Sequence, residues 1–154
     1  MHDAGINLCL ATDNMHADMI EVMRWALCVG RIQTGEIEDS WQPRDMLRMA
    51  TLNGARAMGL DRQLGSLEVG KKADLVCIDT RRPHLVPRLD LLGNLVHTAQ
   101  GRDVSMVIVD GEVVVENGRA TKVDQDEILE QAQAAAEALW ARARLQVTEP
   151  RVAS

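Results

Sequence analysis

The sequence has no Phe and no Tyr, and its aromatic side chains are Trp25, Trp41 and Trp140. A core must therefore be built from Leu, Val, Ile, Met and Ala, and stacking platforms for nucleic-acid bases are scarce. Basic residues are also outnumbered, because the chain has 17 Lys and Arg and 23 Asp and Glu, which gives a net charge of −6. Since most basic residues are scattered singly, a surface that binds nucleic acid or an anionic membrane is disfavoured.

Long apolar runs are missing too, since none approaches the roughly 18 residues of a membrane span. The three cysteines, Cys9, Cys28 and Cys77, lack the spacing of a metal or redox motif, and each lies in an apolar run. This favours structural roles for the thiols and a cytoplasmic location.

With 154 residues and 46% apolar composition, the chain can form about one globular domain. A complete (β/α)₈ barrel takes about 250 residues and is excluded.

In the first half of the chain, hydrophobic periodicity predicts a buried strand over residues 6–12. A largely buried helix follows from about residue 17 to residue 30, because its residues are apolar nearly all round. Pro43 is suited to the first turn of a second helical region. Gly59 is expected to end that region in a left-handed conformation.

In the second half, residues 65–70 and 75–78 are predicted as short strands around a glycine turn. Residues 104–116 predict a hairpin, because Asp110-Gly111 supplies the positive φ angles of a two-residue turn. Residues 124–144 predict an amphipathic helix, since an Asp at its start is followed three residues later by Glu. One face of this helix is expected to be covered.

Candidate catalytic residues are few. Asp13 directly follows the predicted strand and either caps the next helix or serves as a metal ligand or general base, as residues at strand ends do in α/β folds. His16 either contacts a substrate or is a polar loop residue. The other histidines, His2, His84 and His97, form no i, i+2 or i, i+4 pair with it or with one another. A catalytic zinc needs about three protein ligands, so no local motif here assembles one.

Three blocks of sequence taken together resemble the C-terminal part of the amidohydrolase superfamily in order and spacing. The nearest resemblance is to the branch of cytosine deaminase, S-adenosylhomocysteine deaminase and triazine hydrolase. The blocks are residues 10–14 (LATDN), 49–60 (MATLNGARAMGL) and 64–76 (LGSLEVGKKADLV). Residues 104–118 also match the hairpin that closes the family's sequence.

The resemblance implies an α/β fold that is the C-terminal fragment of a (β/α)₈ metal-dependent hydrolase barrel. Residues 1–62 are expected to form its last strand and helices. Residues 63–121 are expected to form the C-terminal strands of a composite β-sandwich, and residues 122–154 an amphipathic helix and tail. The family's His-x-His pair and its later histidine ligands have no counterpart here, so a truncated copy is expected.

For the site, the resemblance implies that Asp13 is both a catalytic residue and a metal ligand. Asn14 and His16 are the expected substrate-binding residues. One divalent metal, zinc or iron, is expected in the full-length parent and none in this chain alone. The implied reaction is hydrolysis of a C–N bond, deaminating a nitrogen heterocycle. The family usually has Gly two residues before the aspartate, where this chain has Ala11.

A second function remains open, in which the chain is a catalytically incomplete remnant that serves as an assembly or interaction module. The expected partners are a small-molecule substrate in the parent, and either a second copy of the chain or a missing N-terminal half. Neither nucleic acid nor a membrane is an expected partner.

Overall fold

The computed structural model describes residues 4–14 and 17–143 and is a mixed α/β structure with an antiparallel sheet. The helices are α1 (Met19–Thr34), α2 (Pro43–Ala50), α3 (Leu52–Ala57), α4 (Leu91–His97) and α5 (Gln125–Ala143). The strands are β1 (Leu75–Ile78), β2 (Val104–Val109), β3 (Glu112–Glu116) and β4 (Arg119–Ala120). Two short 3₁₀ turns occupy Pro83–Leu85 and Gly101–Asp103. The chain divides into two compact units, Met1–Gly118 and Arg119–Ser154.

Helix α1 begins at a side-chain cap and ends at a glycine. Oδ1 of Asp18 accepts hydrogen bonds from the N–H groups of Ile20 and Glu21, at 2.9 and 3.2 Å. These bonds satisfy donors that have no partner inside the helix. At the other end Gly35 adopts a φ of 69°, and its N–H donates to the carbonyl of Arg31.

The core of the first unit lies between α1, α2 and α4. Its buried side chains from these helices and their flanks are Ile20, Met23, Leu27, Met46, Met49, Leu85, Val96 and Ala99. The α1 members follow helical spacing, which places them on one face. The prediction that α1 is largely buried is wrong for its other face, since Trp25, Val29 and Ile32 are 59%, 44% and 80% exposed. No element among the described residues packs over that face deeply enough to bury it.

The second helical region begins at Pro43, as predicted, with the proline in the first turn, where a missing N–H costs nothing. The chain leaves helical geometry at Thr51, which separates α2 from α3. Gly59 has a φ of 69°, and its N–H donates to the carbonyl of Arg56. The predicted left-handed end at Gly59 is confirmed.

The predicted strand over residues 6–12 is wrong, because the structure assigns no strand there. A strand requires a neighbouring strand with which to exchange backbone hydrogen bonds, and none of the described strands pairs with this segment. Ile6 is 55% exposed, and Cys9 is exposed as well. Cys28 and Cys77 are also free and exposed, so none of the three thiols serves as a buried hydrophobe in this structure.

The sheet of the first unit is antiparallel, in the order β1, β2, β3. Strands β2 and β3 form the predicted hairpin, in which Asp110 and Gly111 adopt φ angles of 52° and 85°. Strand β1 is also as predicted, whereas the strand predicted over residues 65–70 is wrong, because the structure assigns no strand there.

Helix α4 forms in a stretch for which the sequence pattern is ambiguous. Asp90 caps it by accepting a hydrogen bond from the N–H of Gly93. At its C-terminal end, Arg24 of α1 donates to the carbonyls of Val96 and Ala99. The bond to Val96 satisfies a carbonyl in the last turn of the helix, and the two bonds together join this end of α4 to α1.

In the second unit, α5 matches the helix predicted from residue 124. Oδ1 of Asp124 accepts hydrogen bonds from the N–H groups of Asp126 and Glu127, at 3.0 and 3.2 Å. The expectation that one face is covered is wrong, because no residue of α5 is buried. Among the helices of the described residues, none combines the length with the hydropathy that a membrane-spanning segment requires.

Candidate functional site

Asp13 lies at the end of the extended segment 6–12, where the chain turns towards α1. Its φ is 51°, in the left-handed region that few residues other than Gly, Asn and Asp adopt. Its side chain and that of Asn14 are exposed. Within the described residues, no hydrogen bond or ion pair is formed by the Asp13 carboxylate. The Asp13 residue is therefore accessible to solvent and has no described polar partner.

The cap of the following helix is Asp18 and not Asp13. Besides its two bonds at the start of α1, Asp18 uses Oδ2 to accept the N–H of Gly101 at 2.9 Å. The alternative interpretation of Asp13 as a helix cap is therefore wrong. The sequence contains the signal for Asp18, since Glu21 stands three residues after it at the start of an apolar periodic segment.

Asn53 holds the segment that leads to Asp13. Its Nδ2 donates to the carbonyl of Leu8 at 2.8 Å, and its own carbonyl accepts from Nδ2 of Asn7 at 3.0 Å. The N–H of Leu10 donates to the carbonyl of Met49 at 3.1 Å. Two of the three recognised blocks, residues 10–14 and 49–60, are thus hydrogen-bonded neighbours. The sequence analysis missed Asn53, because the pairing joins segments that are distant in the chain.

A cavity of about 560 Å³ lies beside the same segment. Its lining includes residues 5–8 together with Arg48, Asn53 and Arg56. Neither Asp13 nor Asn14 lines it. His16, the third predicted site residue, lies outside the described residues. Asp13 and Asn14, the two predicted site residues that the structure describes, are therefore not part of this cavity.

His84 and Asp103 form the most buried polar pair in the described chain. Nε2 of His84 lies 2.7 Å from Oδ2 of Asp103, and Asp103 is only 2% exposed. The same carboxylate accepts the N–H of Gln100 at 2.9 Å. Burial by itself raises the pKa of Asp103, but the hydrogen bonds from His84 and Gln100 and the nearby charge of Arg82 outweigh it and hold the pKa below its ordinary value. The pair joins the two 3₁₀ turns and has a structural role.

A metal centre is not assembled by the described residues. None of their His, Cys, Asp and Glu side chains form a group of three or more that could hold a metal ion. Asp13 is a single carboxylate and by itself does not fit the site that a catalytic metal requires.

Comparisons with known proteins place the chain in a family. The model of the amidohydrolase family matches residues 1–114. The chain is 40% identical over 147 residues to a 5'-deoxyadenosine deaminase of Methanosarcina acetivorans, a match that covers 93% of this chain and 33% of that protein. It is 42% identical over 132 residues to a 5-methylthioadenosine/S-adenosylhomocysteine deaminase of Moorella thermoacetica, covering 83% of this chain and 31% of that protein.

Among solved structures, an adenosine deaminase of Xanthomonas campestris with bound zinc superposes with a TM-score of 0.85 and 28% identity. This superposition covers 91% of the chain and 33% of the other protein. The chain thus spans about a third of the length of the relatives it matches. The resemblance to the deaminase branch is confirmed, and this chain belongs to the amidohydrolase family.

Proposed function

We propose that this chain is the C-terminal part of an amidohydrolase that deaminates an adenosine-derived small molecule, with Asp13 as a catalytic residue. The observation that carries the proposal is the 40% identity to a 5'-deoxyadenosine deaminase over 93% of the chain. Replacement of the ring amino group by water is hydrolysis of a C–N bond. The alternative of a non-catalytic interaction module is not favoured, because the curated relatives are deaminases.

The role proposed for Asp13 is proton transfer. Deamination requires a group that takes a proton from the attacking water and returns it to the departing nitrogen. Asp13 suits this role because its carboxylate is exposed and uncommitted to any described partner, while Asp18 carries out the capping. Substrate contacts by Asn14 and His16 stay predictions.

In the full-length protein, a divalent metal would supply an activated water. The described residues contribute one carboxylate to such a site, so we propose that its other ligands lie outside them. We expect the isolated chain to retain no stoichiometric zinc after chelation and dialysis. Elemental analysis of the purified chain tests this, and a chelator-resistant equivalent of zinc would contradict it.

The architecture proposed for the full-length protein is a (β/α)₈ barrel with a composite β-sandwich. Residues 1–62 would contribute the last βα portion, residues 63–121 the sandwich strands, and residues 122–154 the C-terminal helix. The exposed apolar face of α1, with Ile32 80% exposed, supports a packing partner at that face. We propose that this partner is the N-terminal part of the same protein, and that the protein is cytoplasmic.

Complementation tests the proposed activity directly. The chain is co-expressed with the part of the Methanosarcina acetivorans deaminase that its match leaves uncovered, and ammonia release from 5'-deoxyadenosine is measured. We expect turnover with the wild-type chain and a loss of about 10²–10⁴-fold with Asp13→Asn, because the amide keeps the size of the side chain but cannot accept the proton.

The matched control is Asp18→Asn, which makes the same chemical change at the nearby helix cap. Asn is as good a cap as Asp, so its activity should stay within about twofold of the wild type. A complex that purifies intact and is as active with the Asp13→Asn variant as with the wild-type chain would overturn the role of Asp13. An intact complex without any activity would overturn the deaminase proposal.

A further inference from the structure

The antiparallel pairing of β1, β2 and β3 brings three distant segments to one end of the sheet. Ile78, at the end of β1, pairs with Val104, at the start of β2. The N–H of Asn117, just after β3, donates to the carbonyl of Ser105 at 2.8 Å. A cleft of about 620 Å³ lies at this end of the sheet, within the first unit. Its volume falls in the range of about 300–1,000 Å³ that small-molecule sites occupy.

Four arginines line this cleft. Arg81 and Arg82 follow β1, Arg88 follows the first 3₁₀ turn, and Arg102 precedes β2. All four side chains are exposed. Asp79 is the one acidic residue in the lining. A concentration of positive charge therefore lies within a chain whose net charge is −6.

The arginines differ in how they are paired. Asp79 accepts hydrogen bonds from the backbone N–H and from Nε of Arg81, at 3.0 and 3.1 Å, and lies 3.6 Å from Nε of Arg82. Among the described residues, no acidic group forms an ion pair with Arg88 or Arg102. Each of these two guanidinium groups retains its donors for a ligand.

The frame of the cleft is fixed by buried contacts. The carbonyl of Asp103 accepts the N–H of Asp79 at 2.8 Å, which joins the segment after β1 to the segment before β2. The buried Asp103 carboxylate holds His84 and lies 4.0 Å from Nε of Arg82. These contacts hold together the segments that carry Arg81, Arg82 and Arg102.

We propose that this cleft binds a small anion that carries two or more phosphate groups. Guanidinium groups form paired, charge-assisted hydrogen bonds with phosphate oxygens, and four of them match a ligand with several negative charges. The cleft lining contains no aromatic residue, so it offers no stacking surface for the bases of a single-stranded nucleic acid. The site is separate from the segment that carries Asp13 and does not depend on the deaminase proposal.

Isothermal titration calorimetry of the purified 154-residue chain tests the proposal, with inorganic pyrophosphate and ADP as separate probes. We expect saturable binding of one anion per chain, which weakens as salt is raised. Equal affinity for the two probes would show that the cleft recognises the diphosphate group alone. Tighter binding of ADP than of pyrophosphate would show that the cleft also recognises the nucleoside.

The decisive variant is Arg88→Gln/Arg102→Gln, because these side chains are exposed and have no charged partner among the described residues whose loss would disturb the fold. We expect binding to weaken by roughly tenfold or more. The double variant Arg62→Gln/Arg142→Gln changes net charge equally at exposed positions outside the cleft lining and should bind as the wild type does. Arg88→Lys keeps the charge but loses the planar fork, so it should bind more weakly than the wild type.

Three results would overturn the proposal. One is the absence of saturable binding by either probe in low salt. A second is an equal loss of affinity in the Arg62→Gln/Arg142→Gln control, which would mean that net charge alone attracts the anion. The third is tighter binding of a single-stranded oligonucleotide than of pyrophosphate or ADP.

Discussion

The helical part and the sheet of the first unit differ in how fully they bury their side chains. Helices α1, α2 and α4 contribute residues with almost no exposed surface, among them Met46 and Val96 at 0%. No residue of β1, β2 or β3 is fully buried, and Val76 and Val109 are 60% and 48% exposed. Most residues of these three strands are nevertheless apolar.

The difference shows which part of this chain buries its hydrophobic side chains without help from another layer. Three helices can enclose a core among themselves, because each turns one apolar face inward. A sheet with an apolar face needs a second layer over that face, and apolar strands without one leave surface that favours association. We therefore expect stability to depend on the helical core, and association to depend on the sheet and on the outer face of α1.

The largest effect on stability is expected in the helical core. Met46→Ala removes a fully buried side chain and leaves a cavity, which should lower the free energy of unfolding by about 2–5 kcal/mol. Met58→Ala makes the same change at a position that is 66% exposed and should cost less than about 0.5 kcal/mol. Urea unfolding followed by circular dichroism measures both. Equal losses would mean that the helices do not hold an independent core.

The next largest effect is expected at the buried carboxylate of Asp103, which joins the two 3₁₀ turns. Asp103→Asn should lower the free energy of unfolding near neutral pH by about 1–3 kcal/mol, because it weakens the bonds to His84 and Gln100. The pKa of Asp103 is depressed in the folded state, so its contribution is present above the ordinary pKa of about 4 and is lost as the pH falls through the folded value. The difference in melting temperature between wild type and variant should therefore narrow below about pH 4. A difference that stays constant down to about pH 3 would contradict a charged Asp103.

A somewhat smaller loss in the free energy of unfolding is expected for substitutions at the cap of α1. Asp18→Ala removes two bonds at the helix start and the bond to Gly101, and should cost about 1–2 kcal/mol. Asp18→Asn keeps a side-chain oxygen for the cap and should retain most of the stability. Chemical denaturation measures the free energy of unfolding of both variants and shows whether they differ. A loss from Asn as large as that from Ala would show that the charge, and not the cap, is what matters.

The smallest effect on stability is expected on the outer face of α1. Ile32→Glu should change the free energy of unfolding by no more than about 0.5 kcal/mol, because Ile32 is 80% exposed. We predict that the wild-type chain self-associates at micromolar concentration, since burial of apolar surface contributes about 25 cal/mol per Å². Light scattering should show less association for Ile32→Glu than for Gln33→Glu, which adds the same charge at the next position. A monodisperse 17.0 kDa wild-type species would overturn the prediction.

Several elements were predictable from the sequence because their signals are local. The Asp110-Gly111 turn, the helix start at Pro43, the left-handed Gly59 and the Asp124 cap each depend on residues within a few positions of one another. The family was also recognisable, since blocks such as residues 49–60 and 64–76 keep their order and spacing.

Other features depended on segments that are far apart in the chain. Residues 6–12 have the composition of a strand but no neighbouring strand among the described residues to pair with, and the outer face of α1 is apolar but exposed. Asn53 reaches the segment before Asp13 from a separate helix. Basic residues that are scattered along the sequence, including Arg88 and Arg102, meet in one cleft because antiparallel pairing returns the chain to the same end of the sheet. Local chemistry therefore determined the turns, caps and family of this protein, whereas burial and the assembly of its sites were decided by long-range contacts, which no stretch of the sequence specifies by itself.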